Sequence, residues 1–599
     1  MCGIYMTAQT KDLNAGEKVF AGLKKIEYRG YDSWGVVVIG DQGFVLQKQV
    51  GKLSEVKKSR FEPGLFSLGH TRWATHGGVT QENAHPHLAK NGSFALAQNG
   101  VVENFQELRE QLLDWGYEFD SQTDTEIIVG LIELVMEQEN KTEPTAEIIQ
   151  TVFKKLDGRN TIAVLTKSGV LFAVRNGSPL VVGRDQKTKS IYFSSDVISM
   201  SCDVDEYVVI QSGQMVEYSN SKLTITQLDS QKVLKFVFTP MQLNQAATDK
   251  QGYDSFMLKE IHEQAQVLSR VVAGKEKEFT AAVQLIKQAK IVFTLGAGTA
   301  SFAASHTASL LRKVGITALA IASYEADSYR QLFTKHAVCI VYSQSGETAD
   351  TNEVVEWMKS KKVQVISAVN MPGSTLTQLS DVACMLDVGP ELAVASTKAF
   401  FGQTIWGMTV VQLLSKVKYI DIESNIQEFE HSLYKWFAQK SIQEKIRKLA
   451  KTLSQKQHLF VLGRGDLYGS SLESALKLKE ISYIHAEGFS GGELKHGVIA
   501  LIEQATPVLC LVSEDENKAN MLNAIAEVNA RGGYTIVVSS QDNELYKEWI
   551  EVPEFSAGVV NFMTLFSVVP SQLLTCYMAM EKNYDVDKPR NLAKSVTVK

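Results

Sequence analysis

Over its first 240 residues the chain alternates short apolar runs with turn residues, the texture of β-strands. Val36-Val37-Val38-Ile39, Phe44-Val45-Leu46, Ser93-Phe94-Ala95-Leu96-Ala97, Thr161-Ile162-Ala163-Val164-Leu165 and Gly213-Gln214-Met215-Val216-Glu217-Tyr218 read as strands. Two helices interrupt them: Val19, Phe20, Leu23 and Ile26 make one apolar face, and a second opens after Thr123. Strands with few helices predict an α+β domain of packed antiparallel sheets over residues 2–240. Periodicity then lapses in NQAATDKQG, which marks 241–252 as a linker.

Beyond the linker, helices alternate with fully apolar strands, the pattern of buried parallel sheets. It does so twice. Ile291-Val292-Phe293-Thr294-Leu295-Gly296-Ala297-Gly298 is echoed by Leu459-Phe460-Val461-Leu462-Gly463-Arg464-Gly465, each a strand running into Gly-x-Gly and a helix. A weak repeat of about 170 residues predicts two related α/β domains, 253–440 and 441–599. Neither copy completes the dinucleotide fingerprint or offers Gly-Lys-Ser/Thr for a triphosphate.

At 599 residues the chain is too long for one hydrophobic core, so roughly three or four domains are expected. Its formal net charge of -6 supplies no basic surface, which argues against nucleic acid and anionic lipid as partners. The start, MCGIYMTAQTKDLN, lacks the apolar stretch of a secretory signal. No later segment approaches the ~18 uninterrupted apolar residues of a membrane span. The expectation is therefore a cytoplasmic protein with no membrane partner.

The six cysteines are scattered without a Cys-x-x-Cys pair, which argues against a metal site and a disulfide framework. Cys339, Cys384, Cys510 and Cys576 sit in apolar runs, as core cysteines do. Cys2 does not. With Met1 removed, Cys2 would carry a thiol and a free α-amine whose reference pKa near ~8 lets it serve as base, so one residue supplies nucleophile and proton acceptor. Position alone still favours an ordinary cysteine.

Its surroundings shift that balance. His70-Thr71-Arg72-Trp73-Ala74-Thr75-His76-Gly77 packs a cation, an indole, hydroxyls and imidazoles into eight residues, and Arg72 could clamp a carboxylate with a bidentate fork. Gln98-Asn99-Gly100 is either a hairpin turn or an Asn amide beside a Gly N–H, the makings of an oxyanion hole. Thr123-Asp124-Thr125-Glu126 fits a capping box, and Asp124 either favours the helix dipole or receives an ammonium.

Together, Cys2-Gly3-Ile4, Tyr28-Arg29-Gly30-Tyr31-Asp32-Ser33, HTRWATHG, Asn99-Gly100 and Thr123–Glu126 resemble the class II glutamine amidotransferases with an N-terminal nucleophile. The resemblance implies that Cys2 attacks the glutamine amide while Asn99 and the Gly100 N–H stabilise the oxyanion. It implies that Arg72 and Asp124 hold the glutamine carboxylate and amine, that Thr75 and His76 line the pocket, and that Arg29 lies beside the nucleophile.

In the second half, Ser343-Gln344-Ser345-Gly346-Glu347-Thr348 lies between an apolar strand and a helix. Three hydroxyls and a glycine exceed what capping needs and suit an anion at a helix N-terminus. Without a Walker spacing, a sugar monophosphate fits better than ATP. Val394-Ala395-Ser396-Thr397-Lys398 offers a second hydroxyl loop. Glu473, Lys477 and Glu480 fall on one helix face; spacing alone favours a solvent-facing ion-pair stripe, and the chemical alternative is an acid/base set beside a carbonyl. His496 supplies an imidazole nearby, and the tail carrying Lys594 reads as a fraying end unless something buries it.

These segments, with Leu476–Glu487, Glu493–Gly497 and Pro589–Val598, resemble the isomerizing glutamine–fructose-6-phosphate aminotransferases, the glucosamine-6-phosphate synthase family, over essentially the whole chain. The resemblance implies an N-terminal nucleophile glutaminase domain followed by two sugar isomerase (SIS) domains, with L-glutamine and D-fructose 6-phosphate as substrates and no cofactor. Thr299, Ser343, Gln344, Ser345 and Thr348 would hold the phosphate, and Val394 and Ser396 the sugar. His496 would open the ring in the site of a neighbouring subunit, which implies a homodimer. Lys594 would form a Schiff base, Glu480 would shuttle the C1–C2 proton, and Lys477 would assist with Glu473 behind it. A Schiff-base lysine must be neutral to attack, and a nearby Lys477 would lower its pKa. Ammonia would travel a desolvated passage gated by Trp73.

Two positions depart from the family. Ala300 stands where it has Ser, which removes a hydroxyl from the phosphate cradle, and Trp34 stands where it has a small residue, which bears on packing near the glutamine site. The rival readings are another SIS enzyme on a different phosphosugar and a sugar-phosphate sensor without turnover.

Overall fold

A computed structural model describes residues 2–57, 59–241 and 249–596. Met1 and most of the expected linker lie outside the described residues. The chain divides into two units, Met1–Asp249 with Ala593–Lys599, and Lys250–Leu592.

The first unit is built on two antiparallel sheets. The eight-stranded sheet places Gly3–Ala8 between Ile191–Ser194 and Phe66–Arg72, followed outward by Ser33–Gly40 and Gly43–Val50. The six-stranded sheet runs Lys222–Gln227, Gln214–Ser219, Leu171–Asn176, Asn160–Thr166, Phe94–Gly100, His87–Leu88. Strand alternation assigns the layers. Ile4, Met6, Leu68, Ala95, Ala97, Ala163 and Leu165 form the core between the sheets. Phe94, Leu96, Ile162 and Val164 point the other way, onto Ile128, Leu131 and Val135 of the helix Asp124–Gln138.

On the outer face of the larger sheet lies the helix Ala15–Lys25. Its Gly22 lets the Tyr5 ring approach so closely that a Cβ there would stand 2.4 Å from it. The result is helix, sheet, sheet, helix, so the strand Gly3–Ala8 is buried on both faces. Trp34 belongs to this outer layer, edge-on to Phe20 of the helix at 5.4 Å. Two further helices, Phe105–Trp115 and Ala146–Phe153, go beyond the two read from sequence. The first buries only Leu108 and Leu112, which is why its apolar period was faint.

The second unit bears out the repeat. Its two five-stranded sheets are parallel and share one strand order, 2-1-3-4-5, led by Ile291–Gly296 and His458–Gly463. That order puts a switch point at the carboxyl ends of these two strands, where ligands of such folds sit. Helices Phe256–Val272, Lys398–Leu414, Tyr419–Phe437 and Val568–Glu581 bind both halves into one core. Met563–Glu581 has the length and apolarity of a membrane span, but 94% of its 18-residue apolar stretch is buried inside the protein, as in a core helix.

Candidate active site

Cys2 directly precedes the strand Gly3–Ala8 and is half-buried, whereas Cys339, Cys384, Cys510 and Cys576 are fully buried. Its Sγ receives the Trp73 N–H at 3.3 Å, and its carbonyl accepts from Arg29 Nε at 3.2 Å. Arg29 is braced in turn by Asp196 at 3.6 Å, which also accepts from the Tyr28 hydroxyl. The thiol in turn lies 3.5 Å from the Trp73 carbonyl, so the Trp73 backbone holds the sulfur through both its N–H and its C=O.

The strand Phe66–Arg72 pairs with Gly3–Ala8 and delivers the polar segment to the same edge. Arg72 donates to the carbonyls of His76, Gly77 (3.3 Å) and Gly78 (3.0 Å), so its guanidinium shapes the loop that follows. Burial lowers the Arg72 pKa, and Cys2, Asp124 and Asp32 oppose this. Trp73 stacks edge-on against Tyr31 at 5.4 Å, Thr75 is exposed, and His76 packs on Phe105 at 5.0 Å.

Asn99 and Gly100 end the strand Phe94–Gly100 rather than form a hairpin turn. Gly100 has φ +131°, and a Cβ there would lie 2.1 Å from the Arg159 carbonyl, so only glycine fits. Asn99 is buried and donates to Ser195 Oγ at 2.7 Å. Asp124 opens its helix, and its Oδ2 accepts the Val102 N–H at 2.8 Å. Burial raises the Asp124 pKa, and the Val102 bond opposes it.

The capping box is only half made. Thr123 accepts the Glu126 N–H at 3.4 Å, but the Glu126 carboxylate reaches past Thr123 to the N–H groups of Asp120 (2.8 Å) and Ser121 (2.6 Å).

In the second unit the solvent-facing reading of Glu473, Lys477 and Glu480 fails. The side chains of Lys477 and Glu473 are 1% and 0% exposed and that of Glu480 20%. Lys477 Nζ lies 2.6 Å from Glu480, 3.4 Å from Glu473 and 3.0 Å from Thr299 Oγ1. Burial pushes the Glu473 pKa up to about 8 against the pull of Lys477. Burial also works against the Lys477 charge, but Glu473 and Glu480 outweigh it and raise its pKa. The three groups hold one buried cation between two carboxyl groups.

Thr299 opens the helix Thr299–Lys313 at the end of the first repeat's leading strand, so the triad of the second repeat meets the N-terminal end of that helix. The hydroxyl loop follows the strand Ala337–Ser343. Ser343 Oγ accepts the Gly346 N–H at 2.8 Å, Ser345 Oγ that of Glu347 at 3.2 Å, and Thr348 precedes the helix Ala349–Ser360 without a side-chain cap. Gln344 lies half-buried in the same loop.

The loop holding Val394 and Ser396 is folded around buried Glu391, which accepts from Ser396 Oγ (3.1 Å) and from the N–H groups of Thr397 (2.8 Å) and Ala399 (3.1 Å). Glu391 also acts electrostatically on Lys477. His496 is exposed on a short 3-10 turn, Glu493–His496. Lys594 falls in the segment grouped with the first unit.

Sequence reasoning placed His70 in the polar segment without assigning it a role, and missed Ser195 and Glu391 as parts of these sites. Ser195 and Glu391 act through contacts with residues remote in sequence or on a loop, and no spacing signals them.

A glutamine amidotransferase domain model matches residues 70–201, and a SIS domain model matches 285–413 and 452–582. A Pyrobaculum aerophilum glutamine–fructose-6-phosphate aminotransferase (isomerizing) is 34% identical over 612 aligned positions that cover 100% of both chains. Its Pyrococcus horikoshii counterpart is 35% identical, again over 100% of both. Among solved structures, the C-terminal domain of glucosamine-fructose-6-phosphate aminotransferase from Francisella tularensis matches with TM-score 0.51 and 29% identity, covering 57% of this chain and 99% of that one. The chain, with a glutaminase-type unit ahead of two SIS domains, belongs to the glutamine–fructose-6-phosphate aminotransferase (isomerizing) family.

Proposed function

We propose that the protein hydrolyses L-glutamine at Cys2, passes the ammonia to D-fructose 6-phosphate and isomerises the product to glucosamine 6-phosphate. The observation that carries this is the half-buried Cys2 thiol at the head of a central strand, with the Trp73 N–H 3.3 Å from its sulfur. After removal of Met1, the Cys2 α-amine takes the thiol proton and the sulfur attacks the glutamine carboxamide. Asn99 and the Gly100 N–H stabilise the oxyanion. Ammonia leaves, and water releases glutamate from the thioester. Arg72 and Asp124 hold the substrate carboxylate and amine, Thr75 and His76 line the pocket, and Arg29 orients the Cys2 carbonyl.

In the sugar half, Ser343, Gln344, Ser345, Thr348 and Thr299 bind the phosphate, and Val394 and Ser396 bind the sugar. Lys594 forms a Schiff base with the ketone, and Glu480 carries the proton between C1 and C2. Lys477 fixes Glu480 and is itself fixed by Glu473. His496 opens the ring and serves the neighbouring subunit of a homodimer. Trp73 gates ammonia, which in bulk water at neutral pH would protonate and cease to be a nucleophile. Residues 2–240 form the glutaminase, 253–440 the phosphate-binding SIS domain, and 441–599 the second SIS domain with the catalytic tail, in a cytoplasmic enzyme.

The test is direct. Purified protein given glutamine and fructose 6-phosphate should yield glutamate and glucosamine 6-phosphate in equal amounts. Glutamate release without amino sugar, or Met1 retained in the active protein by intact mass, would overturn the scheme.

A further inference from the structure

The Asn99 carboxamide is held from two sides by side chains to which the scheme above gives no role. His70 Nε2 lies 2.9 Å from the Gln98 carbonyl and 3.2 Å from Asn99 Oδ1. A carbonyl can only accept, so the shared Nε2 carries the hydrogen, and the Asn99 atom facing it is oxygen. The amide nitrogen then faces Ser195 Oγ at 2.7 Å. That hydroxyl also accepts the Ile4 N–H at 2.9 Å, and the Ser195 N–H returns to the Ile4 carbonyl at 3.1 Å. Ile4 is two residues from Cys2, so one serine registers the amide against the strand that bears the nucleophile.

All three side chains are buried, at 0% exposure for His70 and 1% for Asn99 and Ser195. The His70 ring lies 4.4 Å from that of His85, and burial pushes its pKa down to about 3, so it remains a neutral imidazole at working pH. A rotated amide would set N–H against N–H at His70 and lose a buried hydrogen bond. One Asn99 N–H is committed to Ser195, which leaves the other for a developing oxyanion.

We propose that His70 and Ser195 are a positioning pair that fixes the facing of the Asn99 carboxamide, His70 as donor to its oxygen and Ser195 as acceptor from its nitrogen. This rests on reading Asn99 as an oxyanion donor. Neither residue touches substrate; both act through Asn99.

Glutamine hydrolysis by the full chain tests the pair in single and double variants. S195A and H70L should each lower kcat by about tenfold to a hundredfold, short of the 10²–10³ lost when such a donor is removed outright. KM for glutamine should stay within about twofold, because ground-state binding does not use this amide. H70Q, which keeps an N–H near the Nε2 position, should recover most of the loss.

In an N99A background neither S195A nor H70L should lower kcat further, since coupled residues do not add. Full kcat in both single variants, or losses that multiply with N99A, would overturn the pair. If N99A itself keeps full kcat, the oxyanion reading falls and takes the pair with it. S195A removes one oxygen atom and carries the test alone should H70L fail to fold.

Discussion

The Lys477 ammonium donates to the Thr299 hydroxyl at 3.0 Å, although the two residues stand 178 positions apart and belong to different copies of the repeat. One copy thus supplies a helix N-terminus and the other the buried charges that meet it.

K477M tests how those charges depend on one another. It would leave Glu473 at 0% exposure without its cation. Breaking a buried pair from one side typically costs about 3–5 kcal/mol. Because burial holds the Glu473 pKa up at about 8 even beside Lys477, the carboxyl left behind takes up a proton at pH 7, so urea unfolding there should show a smaller loss that grows as pH rises, and K477M/E473Q should remove that pH dependence. Wild-type stability in K477M would mean that the ammonium does not neutralise the buried carboxyls.

Acid should weaken the first unit through its histidines. His70, His85 and His87 form a buried chain with ring centroids 4.4 and 5.0 Å apart, and burial depresses all three pKa values, His70 to about 3. Between pH ~6.5 and the folded pKa, the unfolded chain binds protons that the folded chain does not. Their stabilisation is therefore present above pH ~6.5 and lost as pH falls, by up to about 1.4 kcal/mol per unit for each histidine. Unfolding midpoints from pH 7 to 4.5 should show a shallower slope in H70Q. An unchanged slope would rule out His70 as a contributor.

Ala300 lies in the first turn of the helix that begins at Thr299. Under the phosphate-site reading, A300S adds a hydroxyl beside the anion. One hydrogen bond is worth about 0.5–1.5 kcal/mol, so KM for fructose 6-phosphate should fall by roughly two- to tenfold with glutamine KM unchanged. Steady-state kinetics with each substrate varied in turn would decide it, and an unchanged sugar KM would remove Ala300 from the phosphate contacts.

Cys2 and Lys594 should separate the two chemistries. C2A should lose glutamine use while any hexose-phosphate isomerisation survives. A chain ending before Lys594 should do the reverse, keeping basal glutamine hydrolysis. Sugar turnover by the truncated chain would show that the tail is not catalytic.

Much of this protein is set locally. Period-two apolar runs such as Phe94–Ala97 face two cores, because alternation follows from strand geometry wherever the neighbours are placed. The duplicated strand–Gly-x-Gly–helix was readable because each copy encodes the same unit, and the motifs around Cys2 and Ser343 were readable because each is contiguous.

Spacing could place Glu473, Lys477 and Glu480 on one face but could not say that the face was buried. That was decided by the second repeat packing its helix against the Thr299 helix end of the first. The fixing of Asn99 by His70 and Ser195 was equally invisible, because it needs three distant parts of the chain, drawn from both sheets, brought together. Covalent order dictates which faces are apolar; burial, charge pairing and the orientation of an amide depend on neighbours that only folding supplies.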